Sequence, residues 1–118
     1  MFFGFGKDIY AKIESWKEKG HLGKLLKEAE TNGDEEVRIA AWKAIGSLHA
    51  KEAVDSLLAV FRTDETEAVK LAAADALARV ATKAEFDAMF HAAENETSEK
   101  VAQALKDAAV EAKERQKY

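Results

Sequence analysis

The chain has 118 residues and a formal net charge of −4, with 47% apolar and 34% charged residues. This composition predicts one globular domain with a modest core rather than a disordered chain. Cysteine is absent, which excludes a disulfide framework, a thiolate nucleophile and a thiolate metal site. No apolar stretch approaches the roughly 18 residues that a membrane span needs. We therefore expect an intracellular, cytoplasmic protein with no membrane partner.

Residues 1–20 predict the first helix. Its apolar side chains occupy the positions that, 32 residues later, form the buried stripe of the next strong helix. These side chains are Phe5, Ile9, Ile13 and Trp16. The segment is therefore predicted to be an N-terminal half-repeat that covers the first full repeat, with Phe5 in the core.

Two further phenylalanines, Phe2 and Phe3, precede this helix. One interpretation folds them over the end of the helix, and the other leaves them exposed for a partner or a second copy of the chain. Val110, predicted to lie on the outer face of the last helix, also allows a homodimer. A membrane role is disfavoured because no basic amphipathic helix accompanies the phenylalanines.

A unit of 32 residues then recurs without insertion. DEEVRIAAWKAIGSLH at 34–49 returns as TEAVKLAAADALARVA at 66–81 and, more faintly, as SEKVAQALKDAAVEAK at 98–113. Each unit predicts a pair of helices. The predicted boundaries within a single domain 1–118 are 1–20 for the half-repeat, 21–50 for repeat 1, 51–82 for repeat 2, and 83–118 for repeat 3 with the C-terminal cap.

The second helix of each unit carries one apolar stripe and a starting signal. In the first unit the apolar residues follow the i, i+3, i+4, i+7 spacing of a helix with one buried face. They are Val37, Ala40, Ala41, Ala44, Ile45 and Leu48. Asp34, Thr66 and Ser98 are the predicted N-caps of the three second helices, and Thr82 with Glu85 predicts a capping box.

The strings VRIAAWKAIG at 37–46 and VKLAAADALARV at 69–80 resemble the second helix of HEAT-like repeats, in the short variety found in phycobilin lyases. The third copy departs from the pattern, with Ala102 in place of the basic residue and Ala109 in place of leucine. The resemblance implies an all-α fold, an α-solenoid of about three and a half 32-residue helical-hairpin repeats. It also implies that first helices lie on the convex side and second helices line the concave side.

A binding surface is predicted on the concave side. At 100° per residue, several positions of the second helices point away from the buried stripe and form rows across the stack. Aromatic residues and arginine are enriched at binding hot spots, and an apolar floor flanked by cations suits a helix or extended peptide of acidic character. The six predicted partner-binding residues are Tyr10, Arg38, Ile39, Trp42, Lys70 and Leu71.

Structural interpretations of the same residues stay open. Trp42 also fits a position over Ala74, where it would fill space between adjacent helices. The resemblance gives Arg38 and Lys70 a structural role too, because an acidic loop residue six positions before the basic one pairs with it across neighbouring repeats. That column holds Asn32, Asp64 and Glu96, so Asp64 is expected to bond either Arg38 or Lys70.

The sequence shows no catalytic constellation. There is no Gly-rich phosphate loop and no nucleophile elbow. Asp87, His91 and Glu94 share a helix face that could hold a metal ion, but a tight site needs further ligands and a second shell, so a solvated face is the simpler interpretation. We predict neither an enzyme nor a bound cofactor or metal.

The predicted function is a non-catalytic protein-interaction module, a small scaffold or adaptor that binds a protein or peptide on its concave helix face. One alternative is an accessory or chaperone subunit of a lyase-type enzyme, which the resemblance permits. Another is HEAT-like nucleic-acid binding. The mildly acidic chain disfavours it, because few cations accompany Arg38 and Lys70 where a basic patch would be needed.

Overall fold

The computed structural model describes residues 5–64 and 66–115, and the side chains of residues 8–64 and 66–115. Phe2 and Phe3 lie outside this part of the chain, as does the side chain of Phe5. The described elements are all helical: α1 Phe5–Lys19, α2 Leu22–Thr31, α3 Glu35–Leu48, α4 Val54–Thr63, α5 Glu67–Val80, α6 Phe86–Glu94 and α7 Glu99–Arg115. Short 3-10 turns, Lys51–Ala53 and Lys83–Glu85, precede α4 and α6.

The predicted helix starts are confirmed, since α3, α5 and α7 each begin one residue after a predicted cap. Asp34 Oδ1 accepts a hydrogen bond from Glu36 N at 3.0 Å, and the hydroxyl of Ser98 accepts one from a backbone N–H in the first turn of α7. Thr66 is the N-cap residue of α5 as predicted, but its hydroxyl makes no cap bond and donates to Asp64 instead. The capping box of Thr82 with Glu85 is present and starts the second 3-10 turn.

The helices form two layers. The first helices α2, α4 and α6 make one layer, and the second helices α3, α5 and α7 make the other, which α1 extends by packing on α3. Packing of α3 on α5 and of α5 on α7 is extensive, whereas α4 and α6 touch much more sparsely. A stack that is tight in one layer and loose in the other curves with the tight layer inside. The fold is an α-solenoid whose second helices line the concave side.

One glycine permits the closest approach between second helices. A Cβ atom added at Gly46 on α3 would lie 3.0 Å from both Cα and Cβ of Ala76 on α5. The two backbones are therefore about as close as side-chain volume allows, because a real Cβ rarely comes nearer. Small residues in this layer bring neighbouring helices together, and this close packing produces the curvature.

The buried residues form one cluster that runs along the stack from Ile13 in α1 to Ala112 in α7. Each repeat contributes its stripe to this continuous core, as expected for a solenoid. Among the described helices, none is long and apolar enough to cross a membrane.

Candidate functional site

Trp42 lies inside the core and not on the concave surface. Its side chain is 0% exposed and is the largest fully buried one in the described chain. The expectation that Trp42 points away from the buried stripe is therefore wrong. The alternative interpretation, in which it fills space between helices, matches this position.

The prediction for Trp42 is wrong because of how α3 packs. Helix α3 packs against α1, α2 and α5, so its buried residues cover much more of its circumference than one amphipathic stripe. They are Val37, Ala41, Trp42, Ala44, Ile45 and Gly46. A helical wheel with one buried stripe predicts too many residues on the concave surface. It ignores the contact that each second helix makes with the second helix of the next repeat.

The second repeat fills the space equivalent to that around Trp42 with a different pair of residues. Trp42 and Ala29 line one pocket between α2 and α4. The same two positions 32 residues on hold Ala74, which is 2% exposed, and Phe61, which packs partly buried against the core. The first repeat thus has alanine on its first helix and tryptophan on its second helix, whereas the second repeat has phenylalanine on its first helix and alanine on its second helix. Trp42 therefore fills the space that the phenylalanine fills in the second repeat.

Arg38 is held by three polar partners. Its Nε donates to Asp64 Oδ2 at 3.0 Å, Nη1 donates to the carbonyl oxygen of Asn32 at 3.0 Å, and Nη2 donates to Thr66 Oγ1 at 3.3 Å. The side chains of Arg38 and Asp64 are each 17% exposed. The predicted pairing across repeats is confirmed for this residue, and its guanidinium is largely engaged within the stack.

Lys70 makes the equivalent contact in the next repeat. Its Nζ donates to Glu96 Oε1 at 3.2 Å and to Oε2 at 3.1 Å, and the two side chains are 14% and 3% exposed. A partly buried carboxylate needs this cation, because removing one member of a buried pair strands the other charge. Partner binding by Arg38 and Lys70 stays a prediction, but both cations have structural partners.

The loop column that supplies these carboxylates also shapes the backbone. In all three repeats its side-chain oxygen accepts a hydrogen bond from the backbone N–H two residues later, which tightens the turn before the second helix. The bonds run from Asp34 N to Asn32 Oδ1 (2.8 Å), from Thr66 N to Asp64 Oδ1 (2.9 Å) and from Ser98 N to Glu96 Oε2 (3.3 Å). Asn32 therefore keeps the turn although it lacks the charge.

Asp64 makes stability depend on pH. Burial raises the pKa of Asp64, but hydrogen bonds from the Thr66 hydroxyl and N–H and from Arg38 outweigh burial and hold the pKa below its ordinary value. A carboxyl with a lower pKa in the folded chain than in the unfolded chain stabilises the fold above the unfolded pKa, about 3.9. This contribution is lost as pH falls through the folded pKa.

We predict that Asp64→Asn lowers the free energy of unfolding by about 1–3 kcal/mol at pH 7, because Asn keeps the turn but loses the charged bond to Arg38. The difference from the wild type should shrink as pH falls below about 4. Urea denaturation between pH 7 and pH 2.5 measures it, with the exposed Asp55→Asn as control. A difference that stays constant over this range would contradict the linkage.

The remaining predicted site residues do not meet in one groove. Tyr10 is 41% exposed and lines a groove of about 270 Å³ between α1 and α3. Leu71 is half-buried and lines a separate groove of about 350 Å³ between α5 and α7. Ile39 packs, half-buried, against the core. The predicted apolar floor of the concave surface is thus not continuous, because Trp42 lies in the core between these two grooves.

Tyr10 keeps its phenol proton in the folded chain. Partial burial raises the pKa of Tyr10, and the nearby carboxylates of Asp34 and Glu36 raise it further. A phenol hydroxyl is a hydrogen-bond donor as well as an acceptor. Tyr10 can present both an apolar ring and a polar tip to a partner.

Two rows of side chains face solvent from α3, α5 and α7, and on α3 they begin one residue after Trp42 and one residue after Gly46. One contains Lys43, Asp75 and Asp107, and the other contains Ser47, Arg79 and Glu111; all six are exposed. Sequence reasoning missed these rows, although a signal existed: both positions hold a polar or charged residue in each of the three full repeats. This pattern is typical of a solvated helix face.

The concave surface changes charge along the stack. Its α1–α3 groove includes Lys17 and Lys43, with Lys17 paired to Glu14 at 2.7 Å. Three carboxylates line the α5–α7 groove: Asp75, Asp107 and Glu111. Asp75 lies 3.5 Å from Arg79 in an exposed pair, which contributes little.

The helix face of Asp87, His91 and Glu94 is solvent-exposed. His91 Nδ1 lies 3.9 Å from Glu94 Oε1, with both side chains more than two-thirds exposed. In residues 5–64 and 66–115, no three metal-ligating side chains gather closely enough to hold an ion. The geometry therefore gives no support to a metal centre at this face.

Comparison with known proteins agrees with the repeat architecture. The sequence pattern described as HEAT repeats matches residues 22–110, which span α2 to most of α7. No curated protein and no solved structure matches the chain significantly. With two helical layers, a continuous core and a family match over most of its length, the chain belongs to the HEAT-repeat family.

Proposed function

We propose that this protein is a non-catalytic protein-interaction module, a small scaffold or adaptor that binds a protein or peptide segment on its concave helix face. The observation that carries the proposal is the pair of exposed rows on α3, α5 and α7, which point away from the core and extend across the repeats. HEAT repeats commonly act as interaction modules, and solenoids use such extended concave surfaces for binding.

The chemistry of the concave face revises the expected ligand. Arg38 and Lys70, predicted to flank the binding floor, are paired with Asp64 and Glu96. The exposed rows offer Lys43 at one end and several carboxylates at the other. A segment with both signs of charge and an apolar side chain against Tyr10 or Leu71 therefore fits this face better than an acidic peptide.

The finer alternatives receive less support. The resemblance to the phycobilin-lyase type stays a prediction, and so does an accessory role for a lyase-type enzyme, which bilin-induced absorbance of the purified protein would favour. Nucleic-acid binding requires a basic face, and the pairing of Arg38 and Lys70 weakens it further. Cytoplasmic localisation and a homodimer also remain predictions.

Matched charge swaps test the concave face. The variant Lys43→Glu with Asp107→Lys changes the exposed concave row, and Lys27→Glu with Asp87→Lys makes the same exchange on the first helices. Both preserve net charge, and all four positions are exposed. We expect the concave variant to weaken a partner captured from native lysate about tenfold or more, because mismatched charges oppose docking, while the first-helix variant binds normally.

The control for this test is structural integrity. Circular dichroism and thermal melts should show equal helicity and stability for both variants, since surface substitutions usually change stability by less than about 0.5 kcal/mol. If the first-helix variant loses the partner and the concave variant keeps it, the proposed binding face is wrong.

A further inference from the structure

The two grooves of the concave face occupy equivalent positions two repeats apart. Most residues that line the α1–α3 groove have their counterpart among those that line the α5–α7 groove. Both grooves have an alanine floor on the later helix, with Ala104 and Ala108 on α7. The positions of the first groove that recur in the second are Tyr10, Glu14, Ala40, Lys43, Ala44 and Ser47.

The charge at these equivalent positions reverses along the stack. Lys43 lines the α1–α3 groove, and Asp107 takes its place in the α5–α7 groove, where Glu111 also replaces Ser47. Within the described part of the chain, none of these three charged groups lies within ion-pair distance of an opposite charge. The bond that Gln103 donates to Asp107 at 2.9 Å leaves the carboxylate charged. All three charges are therefore available to a partner.

The other charges of this face balance each other. Asp75 and Arg79 form an exposed pair on α5 at 3.5 Å, and Lys17 pairs with Glu14 on α1 at 2.7 Å. The acidic first turn of α3 lies about two turns before Lys43. Along the exposed rows, the concave face is therefore positive at α3, neutral at α5 and negative at α7.

The floor of this face favours a helical ligand. The backbone groups inside α3, α5 and α7 are bonded within their own helices, so they offer no hydrogen bonds to a docked segment. An extended segment would lose water from its own backbone against the alanine floor without gaining partners, which costs free energy. A helix satisfies its backbone internally and presents side chains at i, i+4, i+7 and i+11 along one face.

The spacing of the second helices fixes the spacing of charges on such a ligand. Packed helices lie about 8–10 Å apart, so α3 and α7 are roughly 16–20 Å apart across α5. A helix that crosses them covers this distance in about 11–13 residues. Eleven residues make about three turns, which brings both charged side chains back to the same face.

We propose that the concave face binds an amphipathic partner helix that crosses α3, α5 and α7 and carries an acidic and a basic residue about 11 positions apart. The acidic side chain meets Lys43, and the basic one meets Asp107 and Glu111. Apolar side chains between them lie against Leu71 and Ala78 of α5. Because it names the partner of the concave face, this assignment rests on the proposed function.

A synthetic helical peptide tests the assignment on the full chain. Its alanine- and glutamine-based sequence carries glutamate at position i, leucine at i+4 and i+7, and arginine at i+11. The control peptide has the same composition with arginine at i+9, which lies on the opposite face of the helix. In ¹⁵N NMR titrations at low salt, we expect the first peptide to bind about fivefold more tightly, because the control loses one charge contact.

Paired substitutions identify which charges meet. Lys43→Gln and Asp107→Asn should each weaken the first peptide about twofold to fivefold, the range for an exposed ion pair. The effect of Lys43→Gln should vanish when the peptide's glutamate is glutamine, and that of Asp107→Asn when its arginine is glutamine. The exposed Asp55→Asn on α4 is the control and should leave the affinity unchanged.

The site of binding follows from the same spectra. Signals of α3, α5 and α7 should shift, while those of α4 and α6 stay in place. Equal affinity for the two peptides, absence of the two couplings, or no binding up to the solubility limit of the peptide would overturn the assignment. Failure of the concave-face function has a different signature, in which the first-helix charge variant loses a cellular partner and the concave variant keeps it.

Discussion

Trp42→Ala is expected to lower the free energy of unfolding by about 3–5 kcal/mol, the range for truncating a fully buried large aromatic residue. Trp42 is 0% exposed, and its removal would enlarge the pocket that it lines with Ala29. The surrounding backbone can collapse only partly, because α3 is fixed by its close contact with α5 at Gly46.

The arrangement in the next repeat suggests a second substitution that should restore part of this stability. Ala29→Phe with Trp42→Ala copies the Phe61 and Ala74 arrangement into the first repeat. Ala29→Phe alone should cost about 1–3 kcal/mol through overpacking, yet in the double variant it should recover part of the loss. The expected coupling is favourable and about 1–3 kcal/mol.

Equilibrium urea denaturation of the wild type, both single variants and the double variant gives this coupling directly. Trp16→Ala is the matched control: Trp16 is only partly buried, so it should lose less stability and show no coupling to Ala29→Phe. If the two costs simply add in the double variant, the exchange of volume between repeats is not what places Trp42 in the core.

Gly46→Leu is expected to destabilise the fold by about 3 kcal/mol, because the new side chain has no room between α3 and α5. A Cβ at this position already reaches Ala76 Cα and Cβ at 3.0 Å. Overpacking at a backbone contact cannot be relieved by rotating a flexible side chain. The two helices would have to separate and would loosen the concave layer.

Gly23→Ala supplies the opposite control. Gly23 lies in α2, and a Cβ there would meet no atom within 4 Å, so the helix propensity of alanine should raise stability by about 0.5–1 kcal/mol. Thermal and urea unfolding of both variants measures the contrast. A neutral Gly46→Leu would show that α3 and α5 are further apart than described.

The repeat fold could be predicted because the information is local and periodic. Each second helix carries its own starting signal, as Asp34 and Ser98 show, and an exact 32-residue period keeps equivalent residues in register. The pairing of Arg38 with Asp64 could be anticipated in part, because Asp64 belongs to a loop column that lies six positions before the basic residues of the first two repeats, so that Arg38 and Lys70 were its two expected partners. The same repeated sequence pattern therefore predicts the helices, the turns and the stacking of the repeats.

The surface could not be placed correctly by the same reasoning. Whether a residue is buried depends on how many neighbours its helix has, and an interior repeat has more than an isolated amphipathic helix. Trp42 looks outward on a single-stripe projection but faces the next repeat in the stack. The α2–α4 pocket could not be predicted from the sequence either. It depends on the distance between the first helices and on the small size of Ala29, whose equivalent in the next repeat is a phenylalanine.

The most direct test of the central claim, that the concave face binds a protein, is a photo-crosslinking map in cells that express the full chain. p-Benzoylphenylalanine would replace Asp75 or Asp107 on the second helices, and Asp55 or Asp87 on the first helices; all four are exposed aspartates. We predict that the two concave positions crosslink to the same protein, while Asp55 and Asp87 do not crosslink to it. Crosslinks to that protein from Asp55 and Asp87 but not from the concave positions would contradict the account.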